Sequence, residues 1–450
     1  MSLKPPKKNE QHRITLTDWA DKGLAASSIS GTPVLVPYAA PGDDCLVHIT
    51  KPTPTKAYGK NVYLYTPSSD RVEAPCVIFG RCGGCQLQHV TYSTQLEYKK
   101  QLVKKNFEHA GLPCPPLSIT GMTEPFYYRN KGQFSITKSK TGEILIGLSA
   151  PRSQQIIDCK TCLIQHPLTN QVLAIVRLFL EETDLPIFDP VSGTNGISHL
   201  ITRVGVNTQS LMVAIASSDE ILAHSEDLIR RLQRIPELQS VLLNHNHKAQ
   251  FETMGSSETL LWGEPTITES IAGLSLTLSL RSFFQVNTSQ IEVLWQAVTR
   301  FLTPVQTDVI LDLYCGTGAM GLYLSRYAKT VIGIESHPEA IQNAEQNAQQ
   351  NAIKNCQFMQ GEVEALLPAL EYPCDAIVVD PPRQGLSPAV IHSIIKLGAK
   401  KIVYVSCAPE TLTRDLKILC AAGYRIDAVE LVDLFGQTYH VETAVSLIKE

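Results

Sequence analysis

Cys407 is the side chain best placed for covalent chemistry in this sequence of 450 residues. It follows the apolar segment Val403–Val405, which predicts a strand, and Pro409 indicates that a helix begins directly afterwards. A helix N-terminus lowers the pKa of a nearby thiol, so we expect Cys407 to act as a nucleophile. The ordinary alternative is a small, buried cysteine that only packs.

A glycine loop in the same region predicts a site for a nucleotide-like cofactor. Asp312 follows the apolar segment Val309–Leu311, and Gly316 and Gly318 allow the chain to turn tightly and approach a ligand. Glu335 ends the next predicted strand, where a carboxylate can accept hydrogen bonds from ribose hydroxyls.

The identity of the cofactor stays open at this point. The glycines at positions 316, 318 and 321 also satisfy the dinucleotide fingerprint, which would indicate a nicotinamide cofactor. Asp312 before the loop and a hairpin predicted at the C-terminus favour S-adenosylmethionine instead. A glycine turn without any ligand is the third alternative.

A second carboxylate is expected to face the cofactor. Asp380 follows the apolar strand Ala376–Val379 and opens the sequence Asp-Pro-Pro-Arg. Methyltransferases that act on amino groups use a similar motif with an aromatic fourth residue, which stacks on the acceptor base. Arg383 occupies that position here, so this chemistry lacks its stacking group. A turn stiffened by prolines is the structural alternative.

A thiolate is needed when the methyl acceptor is carbon 5 of a pyrimidine, because that carbon is a poor nucleophile. Addition of a thiolate to carbon 6 makes carbon 5 nucleophilic, and a general base must then remove the proton of carbon 5. Glu442, at the start of the last predicted strand, is the candidate base. A lone glutamate in that position is more often a surface residue.

These motifs together resemble those of the RNA uracil-5 methyltransferases, over nearly the whole chain. The residues that carry the resemblance are Phe283-Phe284-Gln285-Val286-Asn287, Asp312-Leu313-Tyr314-Cys315-Gly316, Glu335, Asp380-Pro381-Pro382-Arg383, Ser406-Cys407 and His440-Val441-Glu442-Thr443. The resemblance implies Cys407 as nucleophile and Glu442 as general base. The contacts that it implies for S-adenosylmethionine are Gln285, Tyr314, Glu335 and Asp380. Ala408 and Ala319 depart from the usual family pattern.

A cluster of cysteines predicts a metal site. Cys76, Cys82 and Cys85 lie close together, and Cys159 or Cys162 could supply a fourth thiolate. Four thiolates suit either zinc or an iron–sulfur cluster, and the spacing does not decide between them. The members of the family that share this pattern carry a [4Fe-4S] cluster, and the resemblance implies Cys162 as its fourth ligand.

The predicted elements divide the chain into several units. Short strands at regular spacing predict a small β-barrel near the N-terminus, and the resemblance implies that it is an OB-like, RNA-binding TRAM domain. Strict alternation of strands and helices from about residue 290 predicts a Rossmann-like α/β methyltransferase domain with its site at the strand ends. The expected units are a disordered tail at 1–12, the barrel at 13–73, a central α+β iron–sulfur and RNA-binding domain at 74–90 and 126–285, and the methyltransferase domain at 91–125 and 286–450.

Composition and charge indicate a cytoplasmic protein that binds RNA with one part of its surface. No apolar run is long enough to span a bilayer, and twelve cysteines suit ligands or packing better than disulfides. The net charge is −4, but residues 1–112 contain 14 Lys and Arg against 9 Asp and Glu. The candidate RNA contacts are Tyr127–Lys131 and the lysines at 99, 100, 104 and 105, with a half-buried strand edge and a solvated helix face as the alternatives.

The most specific function that the resemblance implies is methylation of a uridine in 23S ribosomal RNA by a monomeric enzyme. The same reaction on transfer RNA is the nearest alternative. An RNA-binding or chaperone protein with secondary catalysis is the alternative from another class, and the presence of both Cys407 and Glu442 argues against it.

Overall fold

The N-terminal part of the chain folds into a curled six-stranded sheet. We describe residues 5–189, 194–370 and 373–450 of a computed structural model. The strands are β1 (Gln11–Thr15), β2 (Asp18–Ala20), β3 (Leu24–Ile29), β4 (Thr32–Val36), β5 (Asp44–Pro52) and β6 (Ala57–Thr66), in the spatial order β1-β5-β6-β4-β3-β2. Alternate residues of β5, such as Cys45, Val47 and Ile49, are buried, so one face of the sheet forms a core.

The prediction that residues 1–12 are disordered is wrong for the end of this segment. Asn9 donates to the carbonyl of Ile49 at 2.9 Å, and Ile49 donates to the carbonyl of Glu10 at 2.9 Å. Strand β1 then begins at Gln11 and pairs with β5. The basic and polar composition of the segment gave no sign of this, because the pairing is with a strand over 30 residues away. Residues 1–4 lie outside the described residues.

Helix α1 (Tyr92–Ala110) and the short strand β7 (Ser118–Thr120) come next in the chain. The hydroxyl of Thr91 caps the helix by accepting from the backbone of Thr94, and Gly111 ends it with a left-handed φ of 70°. Strand β7 was not predicted, because three residues show no clear alternation.

The lysines of α1 do not form a free basic face. Lys99 is completely buried, with its Nζ 2.6 Å from Asp433 Oδ1, so its prediction as a phosphate contact is wrong. Lys100 pairs with Glu97 on the same helix, and Lys105 pairs with Asp18 of β2. The buried pair arises from a partner more than 300 residues away, which the local sequence does not reveal.

The central part of the chain contains a seven-stranded sheet. Its elements are β8 (Lys131–Lys138), β9 (Ile144–Ser149), β10 (Ile156–Asp158), α2 (Pro167–Glu182), β11 (Ile197–Gly205), β12 (Ser210–Ser217), α3 (Ser225–Leu232), β13 (Leu238–His245) and β14 (Ser257–Gly263), with the order β10-β9-β8-β11-β12-β13-β14. The hairpin of β15 (Ile267–Ile271) and β16 (Leu274–Leu278) follows. Every residue of β11 and β12 is buried, so these two strands form the centre of the sheet.

The C-terminal part is a sheet with helices between its strands. Its elements are α4 (Thr288–Leu302), β17 (Val309–Leu313), α5 (Ala319–Leu324), β18 (Thr330–Glu335), α6 (Pro338–Gln350), β19 (Cys356–Gln360), α7 (Val363–Leu366), β20 (Ala376–Val379), α8 (Pro388–Leu397), β21 (Lys401–Ser406), α9 (Pro409–Ala421), β22 (Tyr424–Val432) and β23 (Glu442–Lys449). The order is β19-β18-β17-β20-β21-β23-β22-β7. Strands β17 to β21 pair in parallel, and β23 runs antiparallel to β21 and β22.

This topology brings the predicted site residues to one edge of the sheet. The loops after β17, β20 and β21 leave from the carboxyl ends of parallel strands, which meet at the same edge. Strand β23 starts at that edge because it is antiparallel. Strand β7 joins the sheet beside β22, and α1 packs on α9, so residues 92–120 lie with the C-terminal part. Among the described residues, no helix has the length and apolar character needed to cross a bilayer.

Candidate active site and cysteine pocket

A pocket opens at the carboxyl end of β17. Its walls include Gln285, Asp312, Tyr314, Gly316 and Asp380, together with apolar side chains from α4 and α5. Three of the four residues predicted to contact a cofactor therefore line one cavity. Glu335 does not line this cavity.

The loop after β17 has the backbone geometry of a ligand-binding turn. Tyr314, Gly316 and Gly318 all have positive φ angles, of 64°, 55° and 74°. Such an angle is strained for tyrosine, and strain of this kind concentrates at binding sites. A Cβ added to Gly316 would meet no atom closer than 3.9 Å, so there is open space for a ligand against this backbone. At Gly318 the added atom would lie 2.7 Å from a phenylalanine ring, so that glycine is required for packing.

Glu335 holds the loop in this shape. One carboxylate oxygen accepts from the backbone nitrogen of Gly316 at 3.1 Å, and the other accepts from that of His337 at 2.8 Å. The glutamate thus ties the glycine loop to the turn after β18. Its predicted contact with a ribose stays a prediction.

Two carboxyl groups face the pocket, of which Asp312 is buried and Asp380 is partly buried. Burial, with the neighbouring Asp380 as the next cause, raises the pKa of Asp312 to about 7, and Asp312 Oδ2 has no hydrogen-bond partner. Burial also raises the pKa of Asp380 to about 7, against the opposing effect of Gln285, whose Nε2 donates to Asp380 Oδ2 at 3.3 Å. Carboxyl groups that lack compensating positive charge favour a cationic ligand at this position.

The antiparallel pairing of β21 and β23 brings the predicted nucleophile and base together. Ser406 pairs with Thr443, so the next residues outward, Cys407 and Glu442, lie side by side at the edge of the sheet. Glu442 is only 2 % exposed, whereas Cys407 is partly accessible. A thiol that can be reached and a carboxyl group beside it are the two groups that an addition and proton-removal reaction requires.

The predicted lowering of the thiol pKa is wrong for the protein alone. Burial, followed by the charges of Glu442 and Asp380, raises the pKa of Cys407 to about 11, although Arg383 opposes this. Burial and Asp380 likewise raise the pKa of Glu442. Burial and the two neighbouring carboxyl groups therefore outweigh Arg383 in setting the pKa of this thiol, and the local sequence did not reveal these neighbours.

Comparison with known proteins places this geometry in a family. Residues 273–450 match the family model described as tRNA (uracil-5-)-methyltransferase. The chain is 37% identical over 446 residues to an uncharacterized RNA methyltransferase of Clostridium tetani, covering 98% of this chain and 97% of the relative. It is 36% identical to another from Halalkalibacterium halodurans, covering 98% of each. The chain belongs to the RNA (uracil-5-)-methyltransferase family.

A solved structure agrees with this assignment along the whole chain. The crystal structure of a Pyrococcus abyssi tRNA (uracil-54, C5)-methyltransferase, in complex with S-adenosyl-L-homocysteine, superposes with a TM-score of 0.79 and 27% identity. The superposition covers 97% of this chain and 99% of the other. The predicted multidomain α/β methyltransferase fold and the predicted RNA methyltransferase activity are thereby confirmed.

Arg383 and His440 are two residues of this methyltransferase for which no active-site role was predicted from the sequence. Arg383 Nη2 lies 3.3 Å from His440 Nε2, and the guanidinium also reaches the thiol of Cys407. Burial, with Arg383 as the next cause, lowers the pKa of His440 to about 3, so the ring is neutral and accepts from the guanidinium. Both residues belong to the motifs that carry the resemblance. The feature of the sequence that could have indicated a role for Arg383 is the absence of an aromatic residue at that position.

The methyltransferase also contains the predicted cysteine pocket. The pocket is lined by the sulfur-bearing side chains of Cys76, Cys82, Cys85, Cys159 and Cys162. Gly84 donates from its backbone to Cys82 Sγ at 3.4 Å. In the described ranges, however, no three His, Cys, Asp or Glu side chains are arranged so that they could hold a metal ion.

The two candidates for the fourth ligand lie next to each other in this pocket. A hydrogen bond from Cys159, the largest effect, lowers the pKa of Cys162 to about 7, and the same contact raises the pKa of Cys159. Burial raises the pKa of Cys85 to about 12, with Cys162 among the nearby charges. Cys162 therefore contacts Cys159 and lies near the three-cysteine segment, as a fourth ligand would need to.

Two residues of the segment 127–131 are unavailable to RNA. Tyr128 and Asn130 are buried, so the prediction that they contact RNA is wrong. Tyr127 is 44 % exposed, and Arg129 and Lys131 both line an open pocket beside Arg383. Burial lowers the pKa of Lys131 to about 6, and its Nζ donates to the carbonyl of Leu280.

Proposed function

We propose that this enzyme makes 5-methyluridine in RNA through a covalent bond between Cys407 and carbon 6 of the uracil. The observation that carries the proposal is the pairing of β21 with β23, which brings Cys407 and Glu442 side by side, close to Asp380 in the wall of the cofactor pocket. A methyltransferase without covalent catalysis would need neither group.

Each side chain has a separate task in this reaction. The Cys407 sulfur adds to carbon 6, which gives carbon 5 the character of an enolate carbon and lets it take up the methyl group. Glu442 then removes the proton of carbon 5, and the bond between sulfur and carbon 6 breaks to release the product. Arg383 offsets the negative charge of the thiolate, because it lowers the pKa of Cys407 against the effects of burial and Glu442.

S-adenosylmethionine fits the pocket formed by these residues. Its cationic sulfonium supplies the methyl group when it is bound. We assign Asp312 and Asp380 to the end of the pocket that faces Cys407, because their carboxyl groups lack a positive partner, and Gln285 joins them through its hydrogen bond to Asp380. Tyr314 and the open backbone at Gly316 are assigned to the rest of the ligand, and Glu335 holds the loop in place.

We propose 23S ribosomal RNA as the substrate and transfer RNA as the second candidate. The first follows from the cysteine pattern that the sequence shares with part of the family. The second is favoured by the Pyrococcus abyssi neighbour, which modifies uridine 54 of transfer RNA. Both RNAs require that a folded base be unstacked before it enters the site.

The curled N-terminal sheet is proposed as a TRAM-like surface that binds this RNA. Strands β5 and β6 present basic and aromatic side chains to solvent. The guanidinium of Arg13 lies 4.2 Å from the centre of the Tyr65 ring, and Tyr63 is 60 % exposed beside it. Arginine and tyrosine in contact can stack on bases and pair with phosphates.

The cysteine pocket is proposed to hold a [4Fe-4S] cluster on Cys76, Cys82, Cys85 and Cys162. Four thiol donors around one apolar cavity have the chemistry that such a cluster needs, and Cys159 is the additional thiol beside them. The cluster would tie residues 76–85 to the segment that precedes α2. We assign it no step in the methylation.

The proposed reaction is tested with Cys407→Ala and with a map of the RNA. Purified Cys407→Ala should bind S-adenosylmethionine as wild type does and transfer no methyl group to a uridine-containing RNA; activity equal to wild type would overturn the covalent mechanism. Mass mapping of ribosomal and transfer RNA from a deletion strain identifies the missing 5-methyluridine. Its loss from transfer RNA alone would replace the first substrate with the second.

A further inference from the structure

The loop between β22 and β23 carries part of the proposed catalytic machinery. It spans residues 433–441. His440 lies near its end, and Glu442, the first residue of β23, follows it directly. Because a loop lacks the regular hydrogen bonds of a sheet, its side chains need other contacts to hold them in position. Gln437, in the middle of the loop, has a φ of 69° and is 3 % exposed, which shows that it is held in an unusual conformation inside the protein.

The segment that contains three of the cysteines holds one side of Gln437. The backbone nitrogens of Gln86 and Leu87 both donate to the carbonyl oxygen of Gln437, each at 3.0 Å. Gln86 directly follows Cys85. The position of the loop is therefore set by the part of the chain that lines the cysteine pocket.

Gln95 of α1 holds the other side of Gln437. The Gln437 backbone nitrogen donates to Gln95 Oε1 at 3.0 Å, and Gln95 Nε2 donates to Gln437 Oε1 at 3.0 Å. The same Nε2 lies 3.1 Å from the carbonyl of Leu87 and 3.2 Å from that of Val90. Gln95 is 1 % exposed, so a single buried amide joins the helix, the cysteine segment and the loop.

The position of Gln437 affects the reacting groups through the residues that follow it in the loop. Three residues after Gln437, the ring of His440 lies 3.3 Å from Arg383, which reaches the Cys407 thiol. Two residues further along the chain, Glu442 lies beside Cys407. A shift of the loop at Gln437 would therefore change the position of the base relative to the nucleophile.

We propose that Gln95 and Gln437 are positioning residues that make the geometry of Glu442 and Cys407 depend on the order of the cysteine segment. The inference rests on the proposed covalent function. An ordered cysteine segment fixes the carbonyl of Gln437, and the paired amides fix its side chain and nitrogen. When the segment loses its order, the base loses its alignment while the cofactor pocket, which lies on β17, is left intact.

The test compares Gln95→Met with Gln101→Met. Methionine keeps the size and helix preference of glutamine but removes the hydrogen bonds, and Gln101 lies on the same helix with one weak side-chain contact, to Glu97 at 3.5 Å. We expect Gln95→Met to lower kcat roughly tenfold to a hundredfold, with KM for RNA and the affinity for S-adenosylmethionine unchanged. It should also accumulate the covalent adduct between protein and RNA on a denaturing gel, because removal of the proton is slowed. Gln101→Met should behave as wild type.

A second variant and a second measurement cover the case in which Gln95→Met folds poorly. Gln437→Gly suits the positive φ, retains the backbone carbonyl and removes only the amide side chain, so it should show the same fall in kcat. Hydrogen exchange of the amides of residues 433–442 should be faster in both variants and in Cys82→Ser. Wild-type kcat together with wild-type exchange in Gln437→Gly would overturn the inference. If wild-type enzyme itself forms no 5-methyluridine, the proposed function fails instead.

Discussion

Burial determines the charge of the reacting groups in this active site. It raises the pKa of Cys407 to about 11, and it raises the pKa of Glu442 as well, with little positive charge nearby except Arg383. Cys407 is therefore protonated at neutral pH in the protein alone, and Glu442 keeps its proton to a higher pH than an ordinary glutamate, although the reaction uses the charged forms of both groups. The resting enzyme avoids an exposed thiolate, which would be open to oxidation. A cationic cofactor in the adjacent pocket would favour the reactive forms.

Glu442→Gln should stop the reaction after the covalent bond has formed. The amide has the size of the carboxyl group but accepts no proton, so Cys407 still adds to the uracil while the carbon 5 proton stays in place. We expect an adduct of protein and RNA that survives denaturing electrophoresis. If no adduct forms and methylation continues, Glu442 is not the base.

The same variant should not be less stable than wild type. A carboxyl group whose pKa is raised on folding contributes stability at low pH, and that contribution is lost as the pH rises through the folded pKa. Glutamine has no charge to bury, so Glu442→Gln avoids the loss of stability that wild type shows above the folded pKa of Glu442. Thermal denaturation above neutral pH serves as the control that separates lost catalysis from lost folding.

Arg383→Gln should make the reaction more dependent on alkaline pH. Arg383 lowers the pKa of Cys407, so its removal allows the pKa to rise further and reduces the thiolate fraction at any pH below it. We expect wild-type single-turnover rates to rise with pH toward the raised pKa of Cys407, because the thiol must lose its proton to react. The plot of rate against pH for Arg383→Gln should be shifted to higher pH than that of wild type.

Arg383→Lys is the matched control because it retains a positive charge near the thiol. Its profile should lie between the other two, since lysine lacks the planar group that contacts both His440 and Cys407. Identical profiles for all three proteins would show that Arg383 does not affect the thiol. Alkylation of Cys407 by iodoacetamide, followed by peptide mass analysis, measures the same pKa without the RNA.

At the scale of elements, α1 anchors the loop between β22 and β23 from outside the C-terminal sheet. Lys99 Nζ lies 2.6 Å from Asp433 Oδ1 and 3.1 Å from the carbonyl of Phe435, and Tyr92 donates to Asp433 Oδ2 at 2.7 Å. All of these contacts meet at the first turn after β22. The helix therefore replaces the hydrogen bonds that the loop cannot make with its own sheet.

Lys99→Met should destabilise the protein strongly. The side chains of Lys99 and Asp433 are both fully buried, so removal of the lysine leaves a carboxylate without its positive partner. Loss of one partner of a buried ion pair costs about 3–5 kcal/mol of unfolding free energy. Urea denaturation measures this, and Lys100→Met, which affects a more exposed pair with Glu97, should stay within about 0.5 kcal/mol of wild type. Equal stabilities would exclude this role of the pair.

The elements were more predictable than the contacts between them. The apolar segment Ala376–Val379 has the bounds of β20, the segment from Val309 begins where β17 begins, and Glu335 ends β18 as predicted, because a buried parallel strand is a continuous apolar run between turns. The hairpin at the C-terminus sufficed to bring Cys407 and Glu442 to one edge. The pairing of Gln95 with Gln437 could not be predicted, since the two residues are 342 positions apart and neither belongs to a local pattern.

At the scale of the molecule, the central and C-terminal parts of the chain and the cysteine segment meet around the proposed entrance for the base. An open pocket beside the active site is lined by Gly84 from the cysteine segment, Arg129 from the central part, and Phe283, Arg383 and His440 from around the active site. Phe283 is 63 % exposed there, so its ring is accessible for stacking on a base. The cysteine segment therefore forms one wall of the space through which the uridine would enter.

The proposed [4Fe-4S] cluster would hold this wall in place. Cys162→Ser should lose the cluster, whereas Cys159→Ser should retain it. Both thiols line the pocket and contact each other, so each variant disturbs the site equally in size and polarity. We expect anaerobically purified wild type and Cys159→Ser to be brown and to contain four iron and four sulfide per chain. Cys162→Ser should be colourless and, because residues 76–85 lose their anchor, should melt at a lower temperature. Iron retained by Cys162→Ser but lost from Cys159→Ser would reverse the ligand assignment, and one zinc per chain in wild type would overturn the cluster.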